Sequence, residues 1–193
     1  MKKKIRRWAG WVLLPGILVV CRGWLYRQVV AYQEVGIRRE YLVESQQLTE
    51  ILDKKWGKIS ADLPDKSIGM SLIVDDAQHL TAERLAYKWE NCPSNPLETV
   101  RTGVANCIGY AAFCSMACNY YFQKAGIGHI WKAKPVIGKL SLLSVDIHPC
   151  FQSSFFKDHD FVVVENVQTG ERIAIDPTVY DVMGVERVRL LKL

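Results

Sequence analysis

Residues 158–178 read DHDFVVVENVQTGERIAIDPT, and the way this stretch pairs with itself decides the fold. Two runs rich in β-branched residues, 159–167 and 172–176, flank a Gln168-Thr169-Gly170 turn and predict an antiparallel hairpin. Pairing Glu165 with Gly170 sets a register in which His159 faces Asp176 directly. Direct cross-strand neighbours hold their Cβ atoms about 4.5–5.5 Å apart, within reach of an imidazole–carboxylate hydrogen bond. Val162, Val164, Ile173 and Ile175 then share the opposite face and form a core surface. A slip by a single residue would send His159 and Asp176 to different faces. Asp176-Pro177 ends the second strand, which puts the carboxylate at a rim.

Upstream of the hairpin, helices come first and strands after. Residues 28–57 carry a broken apolar stripe from Val29 to Leu52 and predict a helix that stops at Gly57. Residues 58–70, with Pro64 and Gly69, predict a loop. A second helix is expected over 75–90, followed by a break at Asn91-Cys92-Pro93-Ser94-Asn95-Pro96. Residues 107–124 predict a third helix. Its small residues (Ala111, Ala112, Cys114, Ser115, Ala117, Cys118) suit a central buried element, and Gly126 supplies the stop. Strands are expected at 129–137, in the hairpin, and more weakly at 187–191, with Gly138–Phe156 as an irregular flap. This order gives an α+β domain, expected over 71–193 behind a helical stalk and loop at 28–70.

The 193 residues carry a formal charge of +5, but residues 1–27 hold seven basic side chains and no acidic one. The rest holds 18 basic and 20 acidic residues. A nucleic-acid partner therefore loses its support. Residues 1–27 predict an uncleaved signal anchor. Five cations precede an apolar run from Trp8 to Cys21, and a snorkelling Arg22 extends it through Tyr26. Trp8, Trp11, Trp24 and Tyr26 suit the membrane interfaces, and the positive-inside rule puts the domain on the extracytoplasmic side, periplasmic or extracellular. The six cysteines form no paired zinc spacing. No metal or cofactor is expected, and Cys92 and Cys150 are candidates for a disulfide in that compartment.

Asn106-Cys107-Ile108-Gly109-Tyr110-Ala111 sets a cysteine in the first turn of the third predicted helix. Unsatisfied N–H groups and the dipole there favour the thiolate, which is the nucleophilic form. Cys114 and Cys118 lie two and three turns deeper and read as packing residues. His159 is the candidate base, and Asp176 the group that orients it. His148, close to Asp146, is the rival base, whereas His79 and His129 read as surface or core residues.

Together these residues form an ordered set: Asn106-Cys107-x-Gly109-Tyr110-Ala111, a helix of small residues, Gly126-Ile127, His159 opening a strand, and Asp176-Pro177-Thr178 closing the next. The set, within residues 85–180, resembles the transglutaminase-like superfamily. The resemblance implies a papain-like α+β core, with the cysteine-bearing helix packed on a small antiparallel sheet. It carries the roles of nucleophile, base and orienter to Cys107, His159 and Asp176. It also implies attack on an amide (peptide, isopeptide or Gln side chain) through a thioester, with hydrolysis favoured over transfer to an amine. The Cys107 backbone N–H would be one oxyanion donor, with Trp89, Asn91 and Asn106 as candidates for the second. Asp160 stands where many members have an aromatic residue, and Asn106 where many have glycine. The alternative reading is a catalytically inactive domain of the same fold that binds protein or glycan.

Overall fold

A computed structural model describes residues 21–61, 69–150 and 157–191. In chain order the elements are α1 (Arg22–Val29), β1 (Val30–Ile37), α2 (Gln46–Ala61), α3 (Met70–Arg84), β2 (Ala86–Tyr87), α4 (Pro96–Thr102), β3 (Val104–Ala105) and α5 (Cys107–Lys124). They continue with β4 (Trp131–Leu142), β5 (Val145–Asp146), a 3-10 turn (His148–Cys150), β6 (His159–Asn166), β7 (Arg172–Ile175), α6 (Pro177–Met183) and β8 (Arg189–Leu190). The domain is α+β.

The expected hairpin forms from β6 and β7, but Glu165 pairs with Arg172 rather than Gly170. Asn166 is the reason. Its side chain accepts the N–H groups of Gln168 and Thr169 at 2.9 and 3.0 Å, and its own N–H donates to the Glu171 carbonyl at 2.8 Å. This Asx turn moves the loop one residue along the chain. The pairing shifts by two positions, which keeps every side chain on its expected face. Val162 and Val164 lie opposite Ile175 and Ile173.

The larger sheet runs β7-β6-β4-β1-β8, with β5 added to β4. Its pairs are antiparallel except β1 with β8. Both faces are covered. Val162, Val164 and Ile175 join the core built around α5, which packs against α3 and this sheet. Alternate residues point the other way, so Phe161, Val163 and Ala174 form a second core with Tyr32, Val136, Val185 and Val188. Burial on both sides explains why the β6 run Phe161-Val162-Val163-Val164 lacks polar alternation.

Three expectations need correction. The helix expected over 28–57 is broken: Val30–Ile37 is a strand that pairs with β4 from Val30↔Leu142 to Ile37↔Val136. The stretch read as a stalk therefore contributes to the sheet. Val30, Tyr32, Val35 and Ile37 have high strand propensity, and neighbouring β4 and β8 make that preference decisive. The expected flap at Gly138–Phe156 begins instead as the last five residues of β4. Finally, α3 starts at Met70 and ends at Arg84, ahead of the range expected for the second helix.

The expected membrane segment, 1–27, falls mainly outside the described residues. Its described end enters α1, an eight-residue helix, about 12 Å long at 1.5 Å per residue. No helix among the described residues is long and apolar enough to cross a membrane. Tyr26, expected at a membrane interface, instead packs against the second core.

Candidate active site

The site begins with the entry to α5. Asn95 caps α4 and Pro96 occupies its first turn, so the residues read only as a break also start a short helix. Gly103, at φ +69°, ends that helix in the left-handed region. The chain then enters β3, which pairs in parallel with β2, and Asn106 caps α5. The Asn106 side-chain oxygen accepts from the Ile108 and Gly109 N–H groups at 3.1 and 3.4 Å, and its amide donates to the Glu90 carbonyl at 3.2 Å. Asn106 is thus committed to fixing the helix start through its oxygen and one of its two amide N–H groups. The cap leaves out the N–H of Cys107.

Gly109 is required by close packing. A Cβ there would stand 2.8 Å from the Ala105 Cβ and 3.1 Å from the Pro93 carbonyl oxygen. The Tyr110 hydroxyl lies 2.7 Å from both the Leu85 carbonyl and Asp181 Oδ2, tying this first turn to the segment after α3 and to α6.

His159 is the first residue of β6, and its Nε2 lies 2.6 Å from Asp176 Oδ2. Cys107 is near enough to the same imidazole to help raise its pKa. With Nε2 occupied by the carboxylate, Nδ1 is the nitrogen left for sulfur. Cys107 and His159 both line a cavity of about 470 Å³. The structure therefore brings all three expected residues together, although His159 and Asp176 are not direct cross-strand neighbours. Asp176 lies past the end of β7, where it is the N-cap of α6.

Every lone-pair direction of Asp176 is used. Oδ1 accepts the N–H groups of Thr178 and Val179 at 2.9 and 3.1 Å, while Oδ2 accepts the Tyr32 hydroxyl at 2.8 Å besides His159. Asp176 is fully buried. Burial alone would raise its pKa, but the imidazolium charge and these hydrogen bonds hold the carboxyl below the ordinary range. The partner effect appears in His159. Burial opposes its charge, but Asp176, followed by Cys107, lifts the imidazole well above its usual value.

Tyr32 had no role in the sequence reading. Its hydroxyl donates to Asp176, so the Tyr26 hydroxyl, 2.6 Å away, must donate to Tyr32. Burial pushes the Tyr26 phenol up to about 12 and that of Tyr32 well above its usual value, keeping both as donors. Tyr32 comes from β1, and β4 and β6 lie between β1 and β7 in the sheet. Gly138, opposite His159, opens the way: a Cβ there would meet the Phe161 ring at 2.2 Å. The strand propensity of residues 30–37 was the available signal, but the contact itself depends on the assembled sheet.

Asp160 has its own task. It is fully buried and takes Arg38 in a two-point contact at 2.8 and 3.1 Å, which anchors the chain beyond β1 to β6. His148 lines the same cavity as His159, but its Nε2 accepts the Leu140 N–H at 2.7 Å. The proton must then sit on Nδ1, and the basic lone pair is occupied. Trp89 also lines the cavity, whereas Asn91 is exposed. Cys114 and Cys118 are buried in the core, as their packing role requires. Cys92 and Cys150 are unbridged thiols. Among the described residues no group of three or more His, Cys, Asp or Glu side chains is arranged to hold a metal ion.

Comparison with known protein families, characterised proteins and solved structures yields no match.

Proposed function

We propose that this chain is a transglutaminase-like, papain-related cysteine hydrolase that cleaves an amide through a thioester. The observation that carries the reading is the imidazole of His159, bonded to Asp176 through Nε2 and lining one cavity with Cys107. These residues come from separate elements: the first turn of α5, the start of β6 and the cap of α6. A central helix bearing the cysteine on a mostly antiparallel sheet fits the papain-like core.

In the proposed reaction the thiol proton moves to Nδ1 of His159, and sulfur bonds to the amide carbonyl carbon. Asp176 keeps Nε2 protonated and stabilises the imidazolium. The Cys107 N–H, outside the Asn106 cap, donates to the oxyanion. Collapse breaks the C–N bond as the Nδ1 proton passes to the leaving amine. Water then loses a proton to the same nitrogen and attacks the thioester, releasing the acid and restoring the thiol. Residues 1–27 would tether the domain to a membrane on the extracytoplasmic side.

Alkylation by iodoacetamide tests the assignment, with mass-spectrometric mapping to Cys107. At pH 6 the wild-type thiol should react at least about tenfold faster than free cysteine, because an ordinary thiol is almost wholly protonated there. His159→Ala should remove the advantage. A wild-type rate no greater than that of free cysteine would overturn the hydrolase reading in favour of a noncatalytic binding module.

A further inference from the structure

The cavity that holds Cys107 and His159 has a one-sided chemistry. Trp89, Leu140, Ile147, Val179, Val182 and Met183 supply most of its walls. Its polar members beside Cys107 and His159 include Tyr87, Asp158 and His148; the ring of His148 is already held by a backbone N–H, and Asp158 lies 3.9 Å from Arg38. Thr178 differs from them. It is 7 % exposed and lines the cavity, yet its hydroxyl oxygen has no hydrogen-bond partner. Its own N–H is fixed by Asp176 Oδ1, so the residue is held in place while its hydroxyl stays unmatched. A buried polar group without a partner is costly, and a ligand that supplies one relieves that cost.

We infer that this cavity is the acyl-side subsite for a bulky apolar group near the attacked carbonyl, with the Thr178 hydroxyl bonding the adjoining backbone amide. The inference rests on the hydrolase reading and narrows its substrate class. Apolar side chains supply most of these walls, so a leucine-like side chain or an acyl chain would cover them better than a polar glycan or a glutamine side chain. The volume fits such a group, since ligand pockets typically measure about 300–1,000 Å³ and are mainly apolar.

The test uses the full chain and chloromethyl ketones, which form an S–C bond to Cys107 as chloride leaves. Acetyl-Leu-Gly and acetyl-Gly-Leu reagents are compared with their Asn counterparts, close to leucine in shape but polar. A decanoyl-Gly reagent forms a third arm, and labelling at Cys107 is again read by mass spectrometry. At least one Leu reagent, or the decanoyl reagent, should label about tenfold faster than the Asn pair, the scale on which apolar pockets discriminate. Preference for Leu assigns a peptide side chain; preference for decanoyl assigns a lipid-derived chain. Val182→Asp, at an exposed wall position, should bring the apolar-to-polar ratio toward one. Thr178→Val should slow the peptide reagents by about tenfold, on the scale of one lost hydrogen bond. Equal rates for all reagents would overturn the subsite. If iodoacetamide reactivity still depended on His159 in that case, the hydrolase reading would survive it; if that dependence were missing as well, both would fall.

Discussion

The Asp176 carboxylate accepts four hydrogen bonds from four different groups in a place without water contact. Such a group is stable as an anion only because each donor offsets part of the desolvation. The consequence for pH follows from the direction of each shift. Asp176 has a lowered folded pKa, so its stabilisation is complete above the ordinary value of 3.8 and is lost as pH falls through the lower folded value. His159 has a raised one, so its contribution is complete below 6.5 and is lost as pH climbs through the higher folded value. The pair therefore contributes most between about pH 4 and 6.5. Tyr32→Phe removes one donor from Oδ2 and leaves the carboxylate less well held. Urea unfolding should show a loss of about 2 kcal/mol at pH 6, the scale of a hydrogen bond to a charged group. The acid-unfolding midpoint should also move to higher pH. An unchanged midpoint would mean that Tyr32 does not support the charge on Asp176.

At the scale of elements, α5 was legible in the sequence down to its first residue. The small residues after Cys107 declare a tightly packed helix by local chemistry alone, whereas the cap that Asn106 forms came only with the structure. The hairpin was legible in kind and in facing, and its register missed by two positions because Asn166 forms the turn with its side chain. The pairing of β1 with β4 was not legible, because nothing local to residues 30–37 names a partner strand that lies as far along the chain as Val136–Leu142. That pairing carries Tyr32 to Asp176, and it depends on Gly138. Gly138→Ala would drive a methyl group into the Phe161 ring and also approach the Gln33 carbonyl at 3.1 Å. Overpacking of this kind costs about 1–3 kcal/mol. A lower melting temperature should accompany slower alkylation of Cys107, since Gly138 pairs with His159. Normal stability with normal alkylation would show that the sheet has room there.

For the whole molecule, the main revision concerns where the folded body starts. Residues 28–70 read as a stalk, yet β1 lies between β4 and β8, and Tyr32 is fully buried. A removable stalk could be deleted without harm to the domain. Deletion of residues 1–37 should instead abolish cooperative urea unfolding, because it strips β4 of its neighbour, leaves β8 unpaired and withdraws Tyr32 from the second core. A cooperative transition of undiminished stability in that shortened chain would refute the continuity of sheet and site. The surface has a related consequence. The apolar cavity is bounded by α6, the far end of β4 and the Tyr87–Trp89 segment, so it is assembled from parts of the chain that sequence order keeps apart.

The sequence alone determined which residue types stand ready for chemistry: a cysteine at a helix start, a histidine at the start of a strand and an Asp-Pro-Thr at the end of another. It determined these because capping, strand propensity and turn formation act over a few residues. Only the tertiary structure decided that imidazole, carboxylate and sulfur converge, that His148 is occupied elsewhere, and that Tyr32 completes the shell of Asp176. Those outcomes depend on strand order and on two-sided burial of the sheet, which are set by packing across the whole domain and are not encoded at any one stretch of chain.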